Sequence, residues 1–316
     1  MKLLKKFVSN KILKKKILID TTKRFVLSFY KYFFIVNPQK ILNKIKIIFE
    51  QNNVLGRIYI SYEGINAQIS VPENFINKIV YCVQNLHIDL KNLKIQKEIH
   101  NQKMAFWKLI IKIRPQIVSS QIKNFFFNPK KVGKHINART VNKYIHNKNY
   151  VFVDMRNDYE YQIGHFKNSI ICSANTFRKQ LKNLPKFLEK FRNKNIVLYC
   201  TGGIRCEKTS SFLLFLGFKN VFQIKGGILG YIHESKKKKL PIYFLGRLFV
   251  FDSRLEERIT QDIFSKCKNC NNFTNNKYIN CKNNFCHLLF IQCNVCSSIF
   301  QSFCSKKCQI FKKTFC

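Results

Sequence analysis

The 316-residue chain is 46 % hydrophobic and holds 31 Phe, which excludes wholesale disorder and leaves room for two domains and a small third unit. Its 57 Lys and Arg against 16 Asp and Glu give a formal net charge of +41, so its surface attracts polyanions such as nucleic acid. An AT-rich coding sequence would give the same abundance of Lys, Ile, Asn and Phe, so charge alone does not establish that partner.

Residues 1–22 form a basic extension whose apolar runs are broken by Lys, with no continuous signal-peptide core and no cleavage site. No window has the length of a membrane span, and the expected location is the cytoplasm, away from any membrane. Residues 23–115 show a βαββαβ rhythm. "RFVLSFYKYFFI" is a strand. The next helix takes Asn37 as N-cap and Pro38 at its first position, with Ile41, Ile45, Ile48 and Phe49 on one face. "GRIYISY" and "INAQISV" are strands joined at Glu63-Gly64. In the second, Ile65, Ala67, Ile69 and Val71 alternate with polar residues. "PENFINKIVYCVQNL" is a helix. "AFWKLIIKIRP" is expected to close the unit with Trp107, Leu109, Ile111 and Ile113 on one face, giving a ferredoxin-like α+β domain.

Residues 116–138 are a connector with Pro129 and Gly133. From 139 to 240 short apolar strands alternate with helices, as in a parallel sheet covered on both faces. Residues 241–316 are expected to be a linker, "FVFDSRLEER", and a Cys-rich tail.

Of thirteen Cys, eight fall between residues 267 and 308 of that tail in four short-spaced pairs: Cys267/Cys270, Cys281/Cys286, Cys293/Cys296 and Cys304/Cys308. Such knuckles hold tetrahedral metal in a reducing compartment, and eight thiolates suit two zinc ions. Interleaving would join the first pair with the third and the second with the fourth, and His287 could replace Cys286. A redox or iron–sulfur role stays open. The tail has little apolar periodicity, so metal would supply its fold.

The chemistry concentrates in "YCTGGIRCEK". Cys200 ends a buried parallel strand, where open α/β sheets carry their sites. Thr201, Gly202, Gly203, Ile204 and Arg205 then lead into a helix. The two glycines let backbone N–H groups form an anion cradle, the helix N-terminus adds partial positive charge, and Arg205 adds a full one. Each favours a nucleophilic thiolate at Cys200. Cys206 is a candidate redox partner but is expected to point elsewhere. Asp154 and Arg156, on the neighbouring strand, are expected to support the loop or pair with each other. Glu160 and His165 follow in a turn, where a packed or surface His is favoured over an acid–base role. Turn chemistry explains Gly64 and Asn66 beside Glu63. Cys82 and Cys172 read as core residues.

Asp154 and Arg156 in "VDMRNDYEYQIGHF", the six-residue loop "CTGGIR" and "GFKNVFQIKGGI" resemble the rhodanese domain in order and spacing. Phosphatases of that fold have a loop one residue longer. Together with "YISYEGINAQIS", "IRPQIV" and the Cys-rich tail, these motifs resemble the bacterial tRNA uridine hydroxylases over about residues 24–310. The sequence departs from that family in its basic extension, in Ala-Gln after "EGIN" where Gly-Thr is expected, and in a tail rich in Lys and Asn. The resemblance implies an α/β rhodanese-like domain flanked by a ferredoxin-like domain and a zinc-type tail. It implies oxygen-dependent 5-hydroxylation of the wobble uridine in the tRNA anticodon loop, with molecular oxygen as co-substrate and Cys200 catalytic. No dinucleotide, flavin or facial-triad iron motif stands out to name an electron source. A sulfurtransferase or a non-catalytic RNA-binding protein are the rival expectations, and the oligomeric state is not legible.

Overall fold

A computed structural model describes residues 9–97, 105–122, 127–128 and 130–315. The first eight residues of the basic extension thus lie outside them, and its described part holds a helix, α1 (Asn10–Ile19), capped by Ser9.

The first domain is built from β1 (Arg24–Tyr32), α2 (Pro38–Gln51), β2 (Leu55–Ser61), β3 (Gly64–Pro72), α3 (Ile76–Gln84), β4 (Gln96–Lys97) and β5 (Leu109–Ile113). Asn37 accepts from the Lys40 N–H and Pro38 opens α2, whose Ile41, Ile45 and Phe49 are buried. They pack with Ile79 and Val83 of α3 on Leu27, Phe29, Ile58, Ile60, Ile65, Ala67 and Ile69 of the sheet. The strand order is β4-β1-β3-β2-β5. The closing strand is not the one expected. The two-residue β4 closes the ferredoxin-like order, antiparallel to β1, whereas β5 extends the far edge parallel to β2. Two residues carry no readable alternation, and an edge strand is half covered, which is why Ile113 is 40 % exposed.

The second domain comprises β6 (Lys134–Ile136), α4 (Ala138–Tyr144), β7 (Tyr150–Asp154), α5 (Asp158–Tyr161), β8 (Gly164–Phe166), β9 (Ile170–Ile171), α6 (Phe177–Leu188), β10 (Asn195–Tyr199), α7 (Ile204–Phe215), β11 (Val221–Ile224) and α8 (Gly227–Lys237). Its sheet runs β6-β11-β10-β7-β9, every pair parallel. Along β10, Val197 and Tyr199 face α4 and α8, while Ile196 and Leu198 face α6 and α7. Both faces are therefore apolar, as a covered parallel sheet requires.

The segment expected to be a linker is instead packed. β12 (Phe244–Phe249) pairs with β8 and with β13 (Glu256–Arg258). Its charges pair with each other inside: Arg247 with Glu256, and Arg254 with Asp252 and Glu257. The tail adds β14 (Tyr278–Asn280), β15 (Leu289–Ile291), α9 (Asn294–Phe300) and α10 (Lys306–Phe315).

At the end of β7, Arg156 is wholly buried. Its guanidinium donates to both Asp154 oxygens, at 2.6 and 3.0 Å, and to the Gly164 carbonyl at 2.6 Å. The Gln180 amide braces the Asp154 and Arg156 carbonyls at 2.9 and 3.0 Å. Removing one partner would leave a buried charge uncompensated. Asp154→Ala is expected to cost about 3–5 kcal/mol, read as a lowered urea midpoint; an unchanged midpoint would contradict this account.

Candidate active site

Cys200 follows β10 directly and has no exposed surface. The chain turns at Gly203, whose φ of +103° is left-handed and suits glycine. That turn aims the Gly203 N–H at the Cys200 sulfur, 3.1 Å away. A second pair of glycines holds the loop from behind. Gly226 and Gly227 adopt φ of +71° and +61°, and a Cβ on Gly227 would stand 2.7 Å from the Thr201 carbonyl. With no Cβ there, the first N–H groups of α8 reach the loop: Ile228 donates to the Cys200 carbonyl at 2.9 Å and Leu229 to that of Thr201 at 3.1 Å. The loop's carbonyls are thereby turned to α8, and its N–H groups to the sulfur.

Burial alone pushes the Cys200 thiol up. Hydrogen bonding from the Cys206 thiol, the Arg205 charge and the Arg205 and Gly203 N–H groups outweigh it and bring the pKa to about 6. Cys206, buried beside that sulfur, is pushed well above the usual thiol range by burial and by Cys200 itself. It therefore faces Cys200 as a neutral donor, contrary to the expectation that it points elsewhere. Arg205 is forked onto Glu160, at 2.7 and 2.8 Å. Burial works against the guanidinium charge, and Glu160 overrides it. Glu160 also accepts from the Asn157 N–H at 3.0 Å, so the capping box of α5 fixes the carboxylate that fixes Arg205. Asp154 and Arg156 pair with each other rather than reaching the sulfur. His165 stacks on Tyr161 at 4.1 Å with Nδ1 3.0 Å from the Tyr161 carbonyl, and burial lowers its pKa.

The first domain lies across this loop. Tyr30 donates to Glu207 at 3.3 Å, Tyr32 to the Ile204 carbonyl at 3.2 Å, and the Gln96 amide to the Gly226 carbonyl at 3.1 Å. Lys208, 1 % exposed, pairs with Glu63 at 2.8 Å, and Glu63 also accepts from the Ile117 N–H at 2.8 Å. Glu63 is thus an interdomain clasp as well as a turn residue. "EGIN" and "CEK" both carry the signal for that clasp, but nothing in one sequence links them. Tyr30 and Tyr32 were hidden in the alternation of β1. Between the domains opens a cleft of about 1340 Å³, with Cys200, Thr201, Gly202, Ile204 and Arg205 at its floor and Tyr30, Arg57, Lys97, Arg178 and Lys225 among its walls. The Thr201 hydroxyl is buried there without a hydrogen-bond partner.

In the tail the structure gathers Cys267, Cys270, Cys293 and Cys296 in one set and Cys281, Cys286, Cys304 and Cys308 in another, each with all sulfurs within 4.8 Å. The sulfurs of Cys270 and Cys293 are 3.7 Å apart, and those of Cys286 and Cys304 3.6 Å. Four thiolates about 2.3 Å from a tetrahedral ion stand about 3.8 Å from one another, so both sets fit a metal. His287 belongs to neither set.

A parallel sheet with a cysteine at its strand end and a six-residue loop defines a rhodanese-type cysteine site, and the rhodanese-like domain family matches residues 137–234. The UPF0176 acylphosphatase like domain matches 24–117, and the Rhodanase C-terminal family matches 245–309. The tRNA uridine(34) hydroxylase of Buchnera aphidicola subsp. Schizaphis graminum is 50 % identical over 95 % of this chain and 96 % of its own. The protein of that name from Buchnera aphidicola subsp. Acyrthosiphon pisum is 48 % identical over 98 % and 94 %, and that from Photorhabdus laumondii 42 % over 96 % and 86 %. The chain belongs to the tRNA uridine(34) hydroxylase family.

Cys200 should react with iodoacetamide at a rate that rises through about pH 6, whereas an ordinary thiol needs about pH 8.5. The thiolate is present above that midpoint and lost as pH falls through it. Cys206→Ala removes a lowering hydrogen bond and should move the midpoint up. Peptide mapping reads both, and a Cys200 midpoint in the ordinary thiol range would refute the cradle.

Proposed function

We propose that this chain hydroxylates C5 of the wobble uridine of tRNA, with molecular oxygen as co-substrate and Cys200 as the catalytic nucleophile. The observation that carries the reading is the Cys200 thiol, held near pH 6, at the floor of a large cleft in a chain whose full-length relatives bear that activity in their names. A thiolate that adds to C6 of a pyrimidine makes C5 electron-rich, which is where oxygen must be placed. Thr201 through Arg205 form the cradle, Asp154 and Arg156 support it, and the unpartnered Thr201 hydroxyl is available to a polar edge of the base.

An anticodon loop is single-stranded, so its base enters a pocket at modest cost. Lys97, Arg178 and Lys225 on the cleft walls, Arg57 among them, would meet the flanking phosphates. Among the described residues no helix is long and apolar enough to cross a membrane. A tRNA substrate suits a cytoplasmic protein. The two cysteine sets would hold zinc as structural ions, and the tail would depend on them for its fold.

Cys200→Ser is expected to abolish hydroxylation while tRNA binding persists and weakens steeply between low and moderate salt. Nucleoside analysis of tRNA from a deletion strain should show loss of bases derived from 5-hydroxyuridine. Loss of thiolated bases instead would favour sulfur transfer. Full activity of the Ser variant, or equal turnover of free uridine, would sink the reading.

Elemental analysis should return two zinc ions per chain. A chelator that strips them should abolish amide-exchange protection in β14 and β15 while β10 stays protected. A metal-free tail that keeps this protection would refute the zinc assignment.

A further inference from the structure

Hydroxylation through a C6 adduct includes a step that Cys200 does not perform. Once oxygen is attached, C5 still carries its hydrogen and C6 still carries sulfur. The double bond returns only when the C5 proton leaves, so a base is required. Most polar groups beside the loop are already committed. Arg205 is held by Glu160, Lys208 by Glu63, the Tyr32 hydroxyl by the Ile204 carbonyl, and Cys206 by the Cys200 sulfur.

Three cleft residues are instead bonded to one another: Tyr30 of β1, His135 of β6 and Glu207 of α7. The Tyr30 hydroxyl lies directly over the loop, since a Cβ on Gly203 would stand 2.6 Å from it. Gly203 is the residue whose N–H meets the Cys200 sulfur. Tyr30 donates its proton away from the loop, to Glu207 Oε1 at 3.3 Å, and His135 Nε2 is 3.0 Å from that same oxygen. The Gln223 amide donates to the other carboxylate oxygen at 3.2 Å and fixes its orientation. Exposure rises along the chain of groups, from 15 % at the Glu207 side chain to 41 % at His135. Hydrogen bonds thus lead from a phenol above the loop through a carboxylate to a solvent-exposed imidazole.

We propose that Tyr30 is the base that takes the C5 proton, with Glu207 and His135 passing a proton on to solvent. This rests on the hydroxylation reading above. In the step, the C5–H bond breaks and its electron pair forms the C5–C6 double bond. The C6–S bond breaks, and its pair returns to Cys200 as thiolate. The C5 proton goes to the Tyr30 oxygen as the Tyr30 proton moves to Glu207, then to His135 and water. Burial, followed by Glu207, Cys200 and Cys206, keeps the Tyr30 phenol protonated in the resting enzyme. The transfer to Glu207 therefore accompanies the transfer from C5.

The test is single-turnover hydroxylation of tRNA with hydrogen or deuterium at C5 of uridine 34. Tyr30→Phe should slow product release from the adduct by about 100-fold or more. It should also accumulate a Cys200–tRNA adduct visible on a denaturing gel and bring out a deuterium isotope effect, with tRNA affinity unchanged. His135→Gln, at the exposed end of the path, should show the same signs more weakly and recover with added imidazole. A Tyr30→Phe enzyme of wild-type rate with no isotope effect would overturn the relay. So would slowing with neither adduct nor isotope effect, which assigns Tyr30 to packing. Hydroxylation by Cys200→Ser would instead overturn the covalent reading beneath it.

Discussion

A thiolate without exposed surface is the constraint around which this protein is arranged. Burial drives the proton back onto sulfur, so the negative charge at Cys200 exists only if donors are brought to it. Gly203 and Arg205 contribute N–H groups, Cys206 a neutral thiol, and Arg205 a guanidinium that Glu160 keeps charged. None of these donors is independently placed. The left-handed turn at Gly203 aims the first, and α8 holds the loop's carbonyls so that the turn persists.

The other two units reach the same loop by different routes. From the first domain, Tyr30, Tyr32, Gln96 and the Glu63–Lys208 pair close over it and create the cleft. From the tail, the Tyr278 hydroxyl donates to the Tyr159 carbonyl at 2.8 Å, and its ring packs edge-on against Tyr159 and Phe249. Tyr159 precedes Glu160, so the cysteine-rich tail is docked one residue from the carboxylate that holds Arg205. A buried pair such as Glu63–Lys208 contributes less to net stability than to fixing one arrangement of the two domains, since desolvation offsets most of its attraction.

Charge is distributed in two ways here. Most Lys and Arg side chains lie on the surface, and Arg57, Lys97, Arg178 and Lys225 line the cleft. A minority of charged groups does the opposite and builds the interior: Arg156 with Asp154, Arg205 with Glu160, Arg247 with Glu256, Arg254 with Asp252 and Glu257. Each of those cations is Arg, whose planar fork takes both carboxylate oxygens of Asp154, Glu160 and Asp252, whereas Lys208 serves in the buried pair with Glu63.

Local pattern was enough to read what local physics decides. Asn37-Pro38 starts a helix because a cap and a fixed φ suffice, and Ile65, Ala67 and Ile69 line one face because a strand alternates. Cys200 in its glycine loop was legible because strand end, turn and helix start are contiguous in sequence. The tail's pairs were legible as metal knuckles because each knuckle is four to six residues long. Contacts between segments distant in sequence were not readable. β4 is a strand only because β1 offers it an edge, and β12 is buried only because β8 and the paired charges receive it. Glu160 holds Arg205 across 45 positions, Glu63 meets Lys208 across 145, and Tyr30 meets Glu207 across 177. The sequence by itself determined the cysteine, its loop and the two layered domains. Tertiary structure alone decided which distant carboxylates and phenols surround the sulfur, because such pairings are set by how the finished layers pack and leave no periodic trace along the chain.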